Sequence, residues 1–342
     1  MVNTPANRRE ESRLAADEQR ARALANRMHP QVVDVRQAPD QVEPYTLEIG
    51  IPAYNEAAGV VPTLESIWAG LRGLAKGDAA IILSDSCTAP SLSSVEAATR
   101  WARQAGARLI VDHVDRRRSL KEALNAIFER SDSDLLVLVN ADVLVPPASL
   151  AALLGALLEE PRPEVVVGAI RPDPNFSSLR RRAGLWQMRA VWRASVLMDR
   201  SIHPGSFRSE GAFWGTWRTF YANYRFPVGS GSIADDTELT RALVRMRARA
   251  TNAAEAFVYK VPPGSFSDLC IATVRFRVAA AHHVRRRLEY VAALHEGVGD
   301  PIGALLYAVA RMWCVARYRR ARRGASELWM PVATTKRIPP GS

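Results

Sequence analysis

From Thr46 onward, short apolar runs alternate with amphipathic stretches, and this alternation constrains the fold more than any other feature. Leu47–Ile51, Ala80–Leu83, Arg108–Asp112 and Leu135–Val139 read as strands. Val60–Leu74, Leu92–Gln104 and Leu120–Glu129 read as helices, the first with Leu64, Ile67, Trp68 and Leu71 on one face. Leu135–Val139 is apolar throughout, as a strand covered on both faces must be. The order βαβαβαβ predicts an α/β fold with a Rossmann-like, open, twisted, doubly wound sheet and flanking helices. Val165–Ala169 is expected to add a strand.

Beyond residue 170 helices dominate the pattern: Ala183–Met198, Asp236–Met246, Leu269–Val291 and Ile302–Arg322. Residues 1–44 are polar and read as a solvated helix over 8–27 followed by a linker with Pro30, Pro39 and Pro44. The expected domains are therefore 1–44, an α/β catalytic domain over 45–265, and a basic helical C-terminal region over 266–342.

Charge supports that division. The net charge is +11, and residues 275–342 hold 13 Lys/Arg against 4 Asp/Glu, whereas residues 1–274 hold 33 against 31. The excess belongs to the C-terminal end, where nucleic acid, an anionic membrane or a phosphorylated ligand would answer it. At 48% hydrophobic residues the chain can bury a core, which excludes a mainly disordered protein. Cys87, Cys270 and Cys314 are too widely spaced for a zinc or disulfide framework and point to a reducing compartment. The first 27 residues lack the apolar stretch of a secretory signal, and no run of about eighteen apolar residues suggests a membrane span.

In open α/β sheets, ligands lie beyond the carboxyl ends of the strands. Pro52-Ala-Tyr54-Asn55-Glu56 follows the first strand, Ser84-Asp85-Ser86-Cys87-Thr88 the second, Asp112 the third and Asn140-Ala141-Asp142 the fourth. Any one of these could simply begin a turn or cap a helix. Four at one sheet edge point instead to a polar, charged ligand. Carboxylates repel phosphate, so a divalent cation between Asp142 and a phosphorylated ligand is implied.

Ile51-Pro-Ala-Tyr-Asn-Glu56, Asp85-Ser-Cys-Thr88, Ala123-Leu-Asn125, Asn140-Ala-Asp142, Asp235-Asp236-Thr-Glu-Leu239 and, more loosely, Val274-Arg275-Phe-Arg277 resemble the ordered motifs of family 2 glycosyltransferases. The resemblance covers roughly residues 46–280. It implies a GT-A fold and an inverting, metal-dependent hexosyltransferase moving a sugar from a nucleotide-diphosphate donor, with UDP first in line. The acceptor would be a hydroxyl, of a lipid or lipid-linked molecule among the options. The donor-side residues implied are Pro52, Tyr54, Asn55, Glu56, Asp85, Lys121, Asn125, Asn140, Ala141, Asp142, Arg275 and Arg277. Asp142 would hold Mg²⁺ or Mn²⁺, and Asp236 would be the catalytic base. Asp235, His203 and Trp214 are placed on the acceptor side.

Several positions depart from the pattern. Asn140 stands where the family has an aspartate, removing one charge near the metal. Ser119-Leu120 replaces a Gly-Lys pair, leaving Arg118 or Lys121 to supply the cation. Val274 and Val278 erode the last motif, which argues against processive synthesis. Arg275 and Arg277 serve equally well as diphosphate ligands or as a solvated helix face. Gly229-Ser-Gly231-Ser-Ile-Ala234 has the letters of a dinucleotide fingerprint, but Asp235-Asp236 would repel a pyrophosphate there. A loop closing over the donor is the better expectation.

Two rival readings remain at this level. A nucleic-acid-binding protein would use the basic C-terminus and the aromatics, although the near-neutral first 274 residues weigh against it, and no nucleic-acid partner is expected. A catalytically impaired GT-A binding protein would keep the fold without the chemistry. The transferase reading places the chain in the cytoplasm, with peripheral attachment to the inner membrane face. There Ile302–Ala316, apolar apart from Arg311, and the arginines of 317–323 would meet anionic lipid. The competing reading of that segment is a helix packed on the catalytic domain.

Overall fold

The computed structural model describes residues 45–57, 59–74, 79–176, 181–197, 211–228, 235–265, 268–269 and 286–321. The expectations for residues 1–44, for His203, for Arg275 and Arg277, and for the Gly229–Ala234 loop fall outside these residues.

The first half follows the sequence pattern closely. Strand β1 is Leu47–Tyr54, α1 Val60–Leu74, β2 Ala80–Ser86, α2 Val95–Ala105, β3 Arg108–Val114, α3 Leu120–Arg130 and β4 Leu135–Val139. Strands β3, β2, β1 and β4 run parallel in that order. All five side chains of β4 are buried. Burial of each such aliphatic side chain contributes about 1.5–3 kcal/mol, so a strand of this composition is stable only at the sheet centre. Helix α3 begins at a capping box: Ser119 Oγ accepts from the Glu122 N–H, and the Glu122 carboxylate accepts from the Ser119 N–H. It packs close to β1 because Gly50 lacks a Cβ, which would stand 2.4 Å from Ile127.

The second half departs from the expected pattern. It comprises β5 (Val143–Leu144), α4 (Pro147–Leu158), β6 (Val165–Pro172), α5 (Arg182–Leu197), β7 (Phe213–Trp217), α6 (Arg218–Tyr221), α7 (Asp235–Met246), β8 (Ala250–Lys260), α8 (Arg286–Gly299) and α9 (Pro301–Ala321). The sheet has eight strands in the order β3-β2-β1-β4-β7-β6-β8-β5. Strand β7 lies antiparallel between β4 and β6. Hidden in the aromatic stretch, β7 was not anticipated, and neither was β8. Apolar residues fill both sheet faces. Leu64, Ile67, Leu153 and Leu157 lie on one side, and Ile127, Phe128, Trp214 and Leu243 on the other.

Trp214 therefore belongs to the core and does not line an acceptor cleft. It is 1% exposed and meets Phe128 edge to face at 6.3 Å. Burying a ring of that size outweighs any role at the surface.

A register jump ends the sheet. Gly168 pairs with Ala253, but Ala169 pairs with Phe257. A bulge of this kind re-aims the strand beyond it. It brings Lys260 opposite Pro172 on one side and Val143 on the other. Helix α5 lies over this region. The Arg171 guanidinium stands 3.5 Å from the Phe257 ring centre and 4.5 Å from that of Trp192, which ties α5 to β6 and β8. Helices α8 and α9 pack in turn on α5.

Candidate active site

The carboxyl ends of β1, β2 and β4 bring three of the sequence motifs to one edge, as expected. What each side chain does there differs from motif to motif.

Asn55 ends β1 in a left-handed conformation, φ +54°, which asparagine tolerates better than most residues. Its N–H donates to Ser86 O at 3.1 Å. Its side-chain oxygen accepts from the Thr88 N–H at 3.0 Å, and its amide donates to Thr88 Oγ1 at 3.1 Å. The side chain stitches the β1 loop to the β2 loop at the edge where the donor is expected. Glu56 is buried, and its carbonyl accepts from the Gly59 and Val60 N–H groups at the start of α1. Tyr54 keeps a half-buried ring under the Arg117 guanidinium, 5.6 Å away. Pro52 is buried within β1 beside Ser84.

Asp85 is fully buried. One oxygen accepts from the Ser94 N–H at 3.1 Å and from Ser94 Oγ. The other accepts from Ser93 Oγ at 2.8 Å and meets His113 Nδ1 at 2.7 Å. Four donors saturate a carboxylate. Asp85 therefore holds the start of α2 and the end of β3. His113 also meets Asp115 through Nε2 at 2.8 Å. Burial pulls its pKa down, but the hydrogen bonds to Asp115 and Asp85 prevail and the net shift is upward. His113 could not be picked out from spacing alone, because its partners come from the ends of β2 and β3. A cavity of about 530 Å³ opens beside it, lined by Pro90, Ser91, Ser93, Glu96 and Asp115.

Cys87 lies close to this cluster: its sulfur and ligand atoms of Asp85 and His113 fall within 4.8 Å of one another. Burial and the neighbouring Asp85 and Asp115 push the thiol pKa up. A protonated thiol beside a saturated carboxylate is a poor donor set for Mg²⁺ or Mn²⁺, which prefer oxygen.

The Asn140-Ala141-Asp142 segment is held rigidly. Asn140 N–H donates to Ala212 O at 3.0 Å. Thr63 Oγ1 of α1 lies 2.8 Å from Ala141 O and 2.7 Å from Val143 O. Ala141 is buried, as an anchor must be, and Asp142 remains partly open. Lys260 Nζ sits 3.0 Å from the Asp142 carboxylate. Sequence reading missed this partner because 118 residues separate the two, and only the β8 bulge unites them. One carboxylate, facing the open edge, fits a hard divalent cation that takes its other ligands from a diphosphate and water. Such an ion would have to share Asp142 with Lys260 or displace it.

The acidic pair reaches the same place. Asp235 and Asp236 open α7. A Cβ on Gly211 would stand 2.5 Å from Asp235 Oδ2, so the carboxylate lies directly over that glycine. Gly211 precedes Ala212, the partner of Asn140. Burial, then repulsion from Asp236, push the Asp235 pKa up to about 7. Lys121, itself buried, acts on Asp235 in the opposite direction. Arg118 is committed elsewhere: it pairs with Asp112 and donates to Ser84 Oγ at 2.9 Å. Of the two cations considered for the Gly-Lys position, Lys121 is the one that acts on the acidic pair.

Asn125 is engaged at both ends of its amide: it donates to Phe226 O at 2.9 Å and accepts from the Phe226 N–H at 2.8 Å. It thus anchors the segment that precedes α7 in the sequence.

Known proteins resemble this arrangement. The family described as Glycosyl transferase family 2 matches residues 48–224, just over half of the chain. Undecaprenyl-phosphate 4-deoxy-4-formamido-L-arabinose transferase of Pseudomonas paraeruginosa is 28% identical over 153 residues, 44% of this chain and 42% of that protein. The chain thus matches less than half the length of this relative. The mannosyltransferase PcManGT of Pyrobaculum calidifontis, solved with GDP-Man and Mn²⁺, is 18% identical with a TM-score of 0.51, covering 83% of this chain and 77% of that one. A looser likeness links it to glucosyl-3-phosphoglycerate synthase of Mycobacterium tuberculosis, at 17% identity and a TM-score of 0.45 over 74% of this chain and 84% of that one. With its motifs at one edge of a GT-A sheet and the family match spanning β1 to the end of β7, the chain belongs to glycosyl transferase family 2.

Proposed function

We propose that the protein is an inverting, metal-dependent glycosyltransferase that moves a sugar from a nucleotide-diphosphate donor to the hydroxyl of a lipid or lipid-linked acceptor. The observation that carries this reading is the meeting of Asp235-Asp236 with Asn140-Ala141-Asp142 across Gly211 and Ala212. A site with an acidic pair beside a rigid carboxylate loop suits removal of a proton next to a diphosphate leaving group.

In this reading the acceptor oxygen attacks the anomeric carbon from the face opposite the diphosphate. The bond to the diphosphate oxygen breaks as the new one forms, which inverts the centre. The transition state is oxocarbenium-like. Asp236 takes the acceptor proton. Burial and Asp236 both favour the protonated form of Asp235, and a proton there limits repulsion within the pair. Asp142, with the donor diphosphate, would hold Mg²⁺ or Mn²⁺, which when bound neutralises the leaving group. Lys121 and Lys260 add fixed positive charge. The nucleobase is assigned to the end of the edge near Tyr54 and the cavity by His113, with Asp85 positioning that wall. The lipid acceptor is supported by the transferase named for undecaprenyl phosphate.

Screening UDP- and GDP-sugars for binding and slow hydrolysis, with Mg²⁺, Mn²⁺ or chelator, tests the reading. Metal-enhanced binding of one donor class, and a product of inverted anomeric configuration by NMR, are expected. Absence of any nucleotide binding would favour a GT-A protein without transferase activity.

A further inference from the structure

Among the described residues, eight of the thirteen exposed large apolar side chains lie on α8 and α9: Leu294, Val298, Ile302, Leu305, Leu306, Val309, Met312 and Trp313. Within α9 they recur every three or four residues, the spacing of one helical stripe. The opposite side of α9 is already used. Gly303 and Ala310 are buried, and Tyr307 stacks on Trp186 of α5 at 4.8 Å. The stripe therefore faces outward: Val298 is 86% exposed, Leu305 65% and Met312 66%. An apolar surface this continuous marks an interaction site.

The charge around it identifies the occupant. Arg311 is exposed within the stripe, and the sequence continues with Arg317, Arg319, Arg320, Arg322 and Arg323. An apolar stripe with an exposed arginine, followed in the sequence by five more arginines, is complementary in chemistry to an anionic lipid surface. A protein partner would have to match both a flat apolar strip and a block of positive charge. No helix among the described residues is long and apolar enough to cross a membrane. Trp313 is a side chain suited to the headgroup level. We propose that the α8–α9 stripe is a monotopic docking face for an anionic bilayer, lying in the interface and not across it.

The position of the stripe fits the transferase reading, on which its purpose, though not the binding itself, rests. Asp300, between α8 and α9, pairs with Arg182 at 2.8 Å at the start of α5. The adjacent Arg181 donates to the Pro262 carbonyl, two residues beyond Lys260, which holds Asp142. The start of the stripe is therefore joined through four residues to the catalytic edge, where a membrane-borne hydroxyl would have to arrive.

Co-sedimentation of the full chain with phosphatidylglycerol-containing vesicles tests the proposal, with pure phosphatidylcholine vesicles as the neutral arm. Wild type is expected to bind the anionic vesicles at low salt and to bind them less at 0.5 M NaCl. A Leu305→Gln/Val309→Gln/Met312→Gln variant alters only partly or largely exposed positions. It should keep its melting temperature and lose about tenfold or more in partitioning. Changing Arg317, Arg319, Arg320, Arg322 and Arg323 to Gln should remove the salt-sensitive part, also about tenfold or more.

Wild type that stays in the supernatant at low salt, or a stripe variant that binds as wild type does, overturns the proposal. A concentration-dependent dimer that the stripe variant abolishes, with no vesicle binding, assigns the face to a second copy and overturns it too. Nucleotide binding measured without vesicles reports separately on the transferase reading. Its failure alongside intact vesicle binding would overturn that reading and leave the docking face standing.

Discussion

The two halves of the sheet use their polar residues differently. In the parallel half, β1 to β3, the motif side chains mostly hold one another. Asn55 stitches two loops, Asp85 caps α2 and braces His113, and Asn125 clamps Phe226. In the second half, the carboxylates lie against groups that folding brings to them: Lys260 stands 3.0 Å from Asp142, and Gly211 lies beneath Asp235. A motif can therefore persist in a sequence for the sake of loop geometry as well as for contact with a ligand. On the proposed function, the chemistry is assigned to the region where Asp142, Lys260 and Asp235 gather.

This division predicts that substitutions in the convergent region damage function and those in the parallel half damage stability. The largest effect is expected for Asp142→Asn. Metal-enhanced nucleotide binding should vanish and turnover should fall by about 10³-fold, since an amide at this position no longer offers the cation an anionic oxygen. Titration of donor with Mn²⁺, and unchanged melting without ligand, check this. Asp236→Asn should keep donor affinity and lower turnover by about 10²-fold or more. An equal loss of donor binding would move Asp236 to the donor side and blur the division.

Lys260→Met sharpens it further. The ammonium 3.0 Å from Asp142 already neutralises the carboxylate that a divalent ion would need. Without it, Mn²⁺ affinity in the absence of nucleotide should rise about tenfold, allowing for screening at a partly exposed site. Nucleotide diphosphate binding in chelator should fall, because a fixed cation has gone. If neither changes, Lys260 is a bystander and the edge holds one working carboxylate fewer partners than the geometry implies.

The parallel half responds through stability. Asn125→Ala leaves the Phe226 N–H and carbonyl without their side-chain partners, at a cost of about 1–3 kcal/mol. Denaturant unfolding measures it. A variant with full stability would show that the clamp is dispensable.

Much of this half was legible in the sequence because its determinants are local. The apolar run Leu135–Val139 became a fully buried strand, and the helix expected over Leu120–Glu129 formed as Leu120–Arg130. Strands β7 and β8 were not legible. Phe213–Trp217 gains its strand character from antiparallel pairing with β4, and aromatic residues suit a helix core equally well by pattern. The acidic pair at the start of α7 was legible as a motif, but its neighbours were not. Gly211, Lys121 and Lys260 approach it or Asp142 through folding alone, and no spacing rule links Lys121 or Lys260 to acids more than a hundred residues away. The saturation of Asp85 was hidden for the same reason: a side chain read from sequence has no visible partners.

The smallest effect is a pH dependence, and it tests whether the β2–β3 edge is a structural brace. His113 lies between two carboxylates, Asp85 on Nδ1 and Asp115 on Nε2. Only the imidazolium has a proton for both. Its pKa is raised in the folded state, so folding is favoured by protonation. That stabilisation is fully present below the unfolded value, about 6.5, and is lost as pH rises through the higher folded value. Above it, the neutral ring can donate to one carboxylate only. The buried Asp85 has the stronger claim, because Asp115 is exposed and water replaces its partner. His113→Gln should accordingly lower the melting temperature most near pH 6, with the gap to wild type narrowing by pH 9. Melting curves recorded from pH 5.5 to 9 decide the matter. A gap that does not vary with pH would mean that His113 acts through its shape alone, and that the edge is not charge-braced.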